Sequence, residues 1–182
     1  MKCIKDLELQ TITKPEDIDP PLGSYIDGFF EGIFGGARTC FEHDQKVMPY
    51  VFTLKDRKIT PCMIKELTPD TKPSLFRWIQ KQVSSHDACI FVNEVWAATM
   101  LESEKKLSDI LLAPSQRADH EEYAMVNLWV HTRRITLMAE ITRNPDQLGP
   151  WKLLDDTEST RKDMPHGVGP MVGVPYPEEK TS

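Results

Sequence analysis

The alternation of apolar and polar residues is clearest between residues 121 and 143, EEYAMVNLWVHTRRITLMAEITR. Residues that alternate along a β-strand share one face of a sheet, so the pattern predicts two paired strands. A turn at Thr132–Arg133 places four apolar pairs on one face: Val130 with Ile135, Leu128 with Leu137, Val126 with Ala139 and Ala124 with Ile141. A slip of one residue would turn all eight to the other face, and the register is therefore expected to be well defined.

The second face of this predicted hairpin mixes large apolar and polar residues, namely Met125, Asn127, Trp129, His131, Met138 and Glu140. The same register sets Met125 opposite Glu140 and Trp129 opposite Thr136. Tryptophan and methionine are enriched in the cores of protein interfaces. Three interpretations stay open: the face is covered by the chain's own helix or tail, it contacts a partner, or it forms a small-molecule pocket.

An earlier stretch, MPYVFTLKDRKITPCMI, predicts another hairpin with its turn at Asp56–Arg57. In this register Leu54 faces Ile59 and Phe52 faces Pro61. Asp-Arg is a weak turn signal compared with Asp-Gly. Since proline cannot donate to a sheet ladder, Pro61 predicts that the second strand lies at an edge or ends early.

Two amphipathic helices are predicted, one over SYIDGFFEGIFGGARTCFEH and one over TPDTKPSLFRWIQKQVSSH. Ser24 is a candidate N-cap. Gly35–Gly36 either interrupts the first helix or allows close packing. The third strand follows at DACIFVNEVWAATM, and GPWKLLDD adds a possible short final strand. The fold class is therefore α+β: an antiparallel sheet of about five strands, a hairpin plus a three-strand meander, with two main helices packed on one face.

Proline and glycine divide the chain into three parts. Residues 1–22 form an N-terminal extension that ends in DPPLG, and residues 23–156 form a single α+β domain. Residues 157–182 contain four prolines and three glycines without periodicity, which predicts a flexible tail. Residues 101–120 are interpreted as an excursion before the fourth strand.

Composition restricts the possible functions. Apolar residues make up 40% and charged residues 27%, the net charge is −6 and the pI about 5.4. General nucleic-acid binding needs excess Lys and Arg, so it is not expected. The chain has no apolar span for a bilayer and no signal-peptide pattern, which predicts a cytoplasmic protein. The four cysteines, Cys3, Cys40, Cys62 and Cys89, are spread singly through the chain. This spacing predicts reduced thiols rather than a set of disulfides.

Two motifs resemble those of a loose group of small bacterial and phage α+β proteins. The first is VNEVWAA, which resembles a strand motif V-[SN]-E-x-W, with Asn93 where serine is usual. The second is PSQRADHEEYAMV, which resembles the linker that leads into the next strand in that group. His120 is an additional residue within this motif. With the first helix, the resemblance covers residues 24–155. It implies a compact intracellular domain and no particular chemistry.

Four residues are candidates for acid–base or metal chemistry: Glu94, His120, Glu121 and Glu140. Only one face of the third strand is expected to be core, which would bring either Glu94 or Asn93 close to apolar neighbours. A buried carboxylate has a raised pKa and can act as a general acid or base. The alternative interpretation is that Glu94 hydrogen-bonds backbone groups or pairs with an arginine.

Cys40 and His43, with Cys62 elsewhere, make half of a zinc-site pattern. The second half is missing, and no metal site and no cofactor are predicted. Cys40 is expected on the buried stripe of the first helix. No phosphate-binding loop, nucleophile elbow or dinucleotide fingerprint occurs in the sequence.

The sequence therefore favours a non-catalytic binding or assembly protein that joins a protein partner or a second copy of itself. Its contact surface would be Met125, Asn127, Trp129, Met138 and Glu140. On this hypothesis Trp129→Ala leaves folding largely intact but weakens the formation of an oligomer or of a complex with a partner. The alternative is a hydrolase-like or metal-assisted enzyme using His120, Glu121 and Glu94. A further alternative is a structural element of a phage or bacterial assembly, with the tail as docking arm.

Overall fold

A computed structural model describes residues 8–65, 67–68, 70–97, 120–130 and 133–158. These ranges form two α-helices, seven β-strands and a short 3-10 helix. In chain order they are the 3-10 helix Pro15–Asp17, α1 Ser24–Asp44, β1 Tyr50–Lys55, β2 Lys58–Met63, α2 Lys72–Ser85, β3 Ala88–Ala97, β4 Glu121–Val130, β5 Arg133–Thr142, β6 Gln147–Leu148 and β7 Lys152–Glu158. The predicted tail beyond residue 158 and most of the predicted excursion before β4 lie outside the described residues.

The strands form one antiparallel sheet that curls into a half-barrel. The order is β2-β1-β3-β4-β5-β6, and β7 also pairs with β5. The α+β class is confirmed, and so is a final strand in the region of GPWKLLDD. The expected number of about five strands is wrong, because β6 and β7 both pair with β5. β6 pairs with Ile141 and Thr142, and β7 with the segment that begins at Arg133.

The two helices lie on opposite faces of the sheet, and the prediction that both pack on one face is wrong. Residues of α1 pack on the first face, where the largest buried cluster also contains Ile90, Val126 and Leu137. Residues of α2 pack on the second face with Phe91 and Trp129. The reason lies in β3, whose apolar residues alternate onto both faces. A strand buried on both sides needs cover on both.

The first hairpin has the predicted register. Leu54 pairs with Ile59 and Phe52 with Pro61, around a two-residue turn. The two turn residues, Asp56 and Arg57, have φ angles of 49° and 63°. Left-handed conformations at both central positions match the right-handed twist of a hairpin, so the tight turn forms here without glycine. The place of β2 at the end of the sheet confirms the edge strand that Pro61 predicts.

The second hairpin keeps the predicted faces but not the predicted register. Leu128 pairs with Ile135 and Val126 with Leu137, two residues away from the expected pairs. A shift of two residues leaves every side chain on its face, so the apolar pattern fits both registers equally well. In place of the expected partners, Met125 therefore faces Met138. The turn residues 131–132, including His131, lie outside the described residues.

The N-terminal end of the described chain packs with the domain. Ile12 and Ile18 are fully buried in the cluster under α1. The Ile12 amide donates to the Trp151 carbonyl at 2.9 Å, which places this segment beside β7. Helix α1 runs without a break through Gly35–Gly36, and Gly23 rather than the predicted Ser24 is its N-cap.

Candidate functional site

The predicted contact residue Trp129 is part of the core. Only 2% of its surface is exposed, and it shares a buried cluster with Phe76 and Ile79 of α2. The crossover from β2 through α2 to β3 brings this helix over the second face, because β2 and β3 are both antiparallel neighbours of β1. Of the three interpretations of this face, cover by the chain's own helix describes the surroundings of Trp129.

The other predicted contact residues on this face are also buried, apart from Glu140. Met125 and Met138 pack together with Tyr123, against the partly buried Val95 and Leu154. Asn127 is buried beside them and accepts a hydrogen bond from the Thr136 hydroxyl at 3.0 Å. The expectation that these side chains form an open surface is therefore corrected by their burial.

Three of the four candidate catalytic residues line one pocket, which lies where β4 begins and β5 ends. Antiparallel pairing sets Glu140 opposite Tyr123, which brings it to the same strand end as His120 and Glu121. The pocket has a volume of about 300 Å³. Its lining residues are His120, Glu121, Glu122, Glu140, Ile141 and Arg143.

Two carboxylates of this pocket already have protein partners. Glu121 accepts a hydrogen bond from the Tyr123 hydroxyl at 2.7 Å, and Glu122 accepts one from Arg143 at 2.8 Å. Burial alone would lower the pKa of Arg143, but Glu122 and Asp146 more than offset it and raise that pKa. Among the described residues, no group of three or more His, Cys, Asp or Glu is arranged to hold a metal ion.

Glu94, the fourth candidate, lies apart from this pocket and holds a backbone group. Its carboxylate accepts a hydrogen bond from the Val47 amide at 2.7 Å, next to the C-terminal end of α1. Asn93 is buried on the opposite face of β3 and donates to the Glu94 carbonyl. The expectation that only one face of this strand is core is wrong, since helices cover both faces.

Two residues of the half zinc-site pattern, Cys40 and His43, lie outside the core. Cys40 is exposed on α1, which corrects its predicted place on the buried stripe. Phe41 takes the buried position at this point of the helix, and the adjacent residue points about 100° away from it. His43 is exposed and contacts Asp44, whereas Cys62 is half-buried on β2. Cys89 is buried, and burial raises its pKa to about 12.

A surface that the sequence reasoning missed lies on the first face, along the β1–β2 hairpin. We call it the apolar strip. It consists of Ile59, Pro61 and Met63 on β2 with Tyr50 and Phe52 on β1. Ile59 is 51% and Met63 48% exposed, and Pro61 is exposed as well. The two rings on β1 stack at a centroid distance of 5.6 Å, and the Tyr50 hydroxyl lies 3.4 Å from the Met63 sulfur.

Two features of the sequence could have pointed to this strip. Pro61 already predicted an edge strand, and an edge strand has no neighbour to bury the outer side chains. The hairpin also carries a concentration of basic residues: residues 46–65 contain Lys46, Lys55, Arg57, Lys58 and Lys65 with Asp56 as the one acidic residue.

The architecture is that of an α+β protein in which a half-barrel sheet is covered by one helix on each face. The chain belongs to the family described as bacteriophage lambda protein ea47, whose family model matches residues 9–174. The expected resemblance to a phage group is thus confirmed at the level of a phage protein family. Comparisons with curated proteins and with solved structures found no significant match. Neither described helix is long and apolar enough to cross a membrane.

Proposed function

We propose that this protein is a non-catalytic binding or assembly protein and that the apolar strip is its contact surface. The observation that carries the proposal is the exposure of Ile59 and Met63, which share one face of an edge strand with Pro61 between them. Contiguous exposed apolar surface on a folded protein commonly marks an interaction site. The contact surface first predicted is mostly buried, and the proposal therefore moves from the second face to the first.

The composition of the strip fits this role. Its members are aromatic, aliphatic and thioether side chains, the types enriched in interface cores. The pairing of Tyr50 with Met63 and of Phe52 with Pro61 makes the surface continuous across two strands. Because the strands are held in a sheet with their turn fixed, little conformational entropy is lost when a partner binds there.

The proposal is tested by changing the strip and measuring the size of the particle that contains the chain. We expect the wild-type chain in extracts of producing cells to elute larger than the 20.9 kDa of one copy. The double variant Ile59→Asp/Met63→Asp should elute as a single folded chain. Thr60→Asp, an exposed position on the other face of the same strand, is the matched control. Elution of the wild type as a single chain, or equal elution of all three, would refute the proposal.

A second candidate function rests on the pocket at the end of β4 and β5. The structure brings His120, Glu121 and Glu140 around one cavity, as the hydrolase-like or metal-assisted alternative requires. Glu94 takes no part in this version. The test is a thermal-shift screen against divalent metals, nucleotides and common metabolites. A ligand at 100 times its Kd adds about 2.7 kcal/mol to the unfolding free energy. A shift that His120→Ala abolishes would favour the enzyme, and a flat screen would count against it.

A further inference from the structure

We infer that the partner of the apolar strip is an acidic amphipathic polypeptide segment that docks by its side chains. This inference rests on the proposed function, because it names the partner of the same surface. Three observations carry it: the charge around the strip, the position of the charges at its two ends, and the chemistry of the edge strand.

The hairpin that carries the strip is positively charged in a chain of net charge −6. All five basic residues between positions 46 and 65 are exposed. Within the described part of the chain, none of the five forms an ion pair with a carboxylate. On the far side of the sheet, by contrast, Arg133 pairs with Asp156 and Arg134 with Asp155. Arg57 and Lys65 thus lie at the ends of the strip without a carboxylate partner among the described residues, whereas Lys55 and Lys58 pair with each other on the other face of the hairpin.

These charges border the strip at both ends. At the turn, the Arg57 guanidinium lies 5.9 Å from the centre of the Tyr25 ring. At the other end, Lys65 follows Ile64, whose amide donates to the Pro49 carbonyl. Eight residues at about 3.4 Å each separate Arg57 from Lys65, so the two ends lie up to roughly 27 Å apart. A segment with apolar residues in its middle and carboxylates towards its ends matches this arrangement.

The edge of β2 is poorly suited to the addition of another strand. The Leu54 carbonyl accepts the Asp87 amide and so points towards β3, away from its cross-strand partner Ile59. In an antiparallel pair the backbone groups of Ile59, and of every second residue after it, then point to the free edge. Pro61 is one of these residues and has no N–H. A partner docking here uses the side-chain face instead of backbone hydrogen bonds.

The same side chains favour a polypeptide over a single-stranded nucleic acid. Sequence-tolerant nucleic-acid binding needs aromatic faces on which successive bases can stack. Tyr50 and Phe52 are half-buried and stack on each other, so their faces are partly occupied. The most exposed members of the strip, Ile59 and Met63, offer no ring.

The inference is tested with synthetic probes and the full chain, by fluorescence anisotropy at low and high salt. The probes are a labelled 18-residue amphipathic peptide of Leu and Glu, the same peptide with Lys for Glu, and a 20-nucleotide oligothymidine. We expect the Glu peptide to bind at least tenfold more tightly than the Lys peptide, and more weakly at high salt. Arg57→Glu/Lys65→Glu should weaken this binding at least tenfold, as should Ile59→Asp. Thr60→Asp should leave it unchanged.

Equal binding of the two peptides, no binding of the Glu peptide, or binding of the oligothymidine alone would overturn the inference. The elution experiment separates this failure from that of the proposed function. If the strip variants lose the larger particle while the Glu peptide does not bind, the surface is a contact surface and the acidic partner is wrong. If the strip variants keep the larger particle and the Glu peptide does not bind, the proposed function and the acidic partner are both refuted.

Discussion

Pro61 faces Phe52 across the first hairpin, in the middle of the strand that forms the free edge of the sheet. The proline ring adds apolar surface to the strip, and its missing N–H leaves the edge without its central outward donor. One residue thus exposes a side-chain surface while discouraging strand addition. An exposed edge with Ile59 and Met63 would otherwise be a site for aggregation.

Pro61→Thr should therefore increase self-association. Threonine suits a strand and restores the outward donor, and no hydrogen bond to β1 is lost at this position. We expect light scattering to rise at lower protein concentrations than for the wild type. Adding Lys at the neighbouring outward position, as Ile59→Lys, should reverse the effect. A Pro61→Thr protein that stays as dispersed as the wild type would show that the proline does not protect the edge.

Trp129→Ala should destabilise the fold, contrary to the expectation from the sequence. Removing a large buried aromatic side chain costs about 3–5 kcal/mol, because the cavity collapses only partly. Trp96→Ala is the matched control, since Trp96 lies on the neighbouring strand with 48% of its surface exposed. Its effect should stay within about 0.5 kcal/mol. Urea unfolding of both variants decides the matter, and equal stabilities would contradict the packing of Trp129 against α2.

Asp27→Asn should raise the melting temperature at pH 7. Burial, and then the charge of Glu16, raise the pKa of Asp27 above its usual 3.8, and one of its oxygens is buried without a hydrogen bond. A carboxyl with a raised folded-state pKa contributes stability below the unfolded-state pKa, and that contribution is lost as pH rises through the folded-state pKa. The gain from Asp27→Asn should therefore be present at pH 7 and vanish below about pH 3.8. A gain of the same size at both pH values would mean that charge is not its cause.

Cys40 and Cys89 should differ in reactivity towards thiol reagents, because one is exposed and the other is buried. Cys40 is exposed on α1, whereas Cys89 is buried and its pKa is raised to about 12. Because the thiolate is the reactive form, a disulfide reagent at pH 8 should label Cys40 quickly. Cys89 should be labelled only when the protein unfolds. Peptide mass spectrometry of the native protein, with the guanidinium-unfolded protein as control, measures both. Equal labelling in the native state would contradict the burial of Cys89.

Local patterns in the sequence identify the strands and most of their pairing. The first hairpin register follows from alternation, even though Asp56 and Arg57 adopt left-handed conformations unusual for those residues. The second register is wrong by two residues, since a period-two pattern cannot distinguish shifts of two. The decisive information lies in the turn and in contacts such as that between Asn127 and Thr136.

The side of the sheet that each helix covers could not be predicted from either helix alone. An amphipathic helix needs an apolar face to pack on, and β3 offers one on both sides: Ile90 faces α1 and Phe91 faces α2. The mixed composition around Trp129 suggested an open surface, but the crossover through α2 covers that tryptophan. The pocket residues His120, Glu121 and Glu140 were grouped by chemistry, and the strand pairing does bring them together.

If the β1–β2 hairpin presents a contact surface, a photoreactive side chain on that surface should capture the partner by site-specific photo-crosslinking. A photoreactive phenylalanine derivative is placed at Met63 on the apolar strip and, separately, at Thr60 on the other face of β2. Both positions are exposed and belong to one strand, so they differ mainly in the direction of the side chain. A contact surface on the apolar strip should give a discrete cross-linked product in producing cells for position 63 and none for position 60. No product at position 63, or equal products at both, would contradict it.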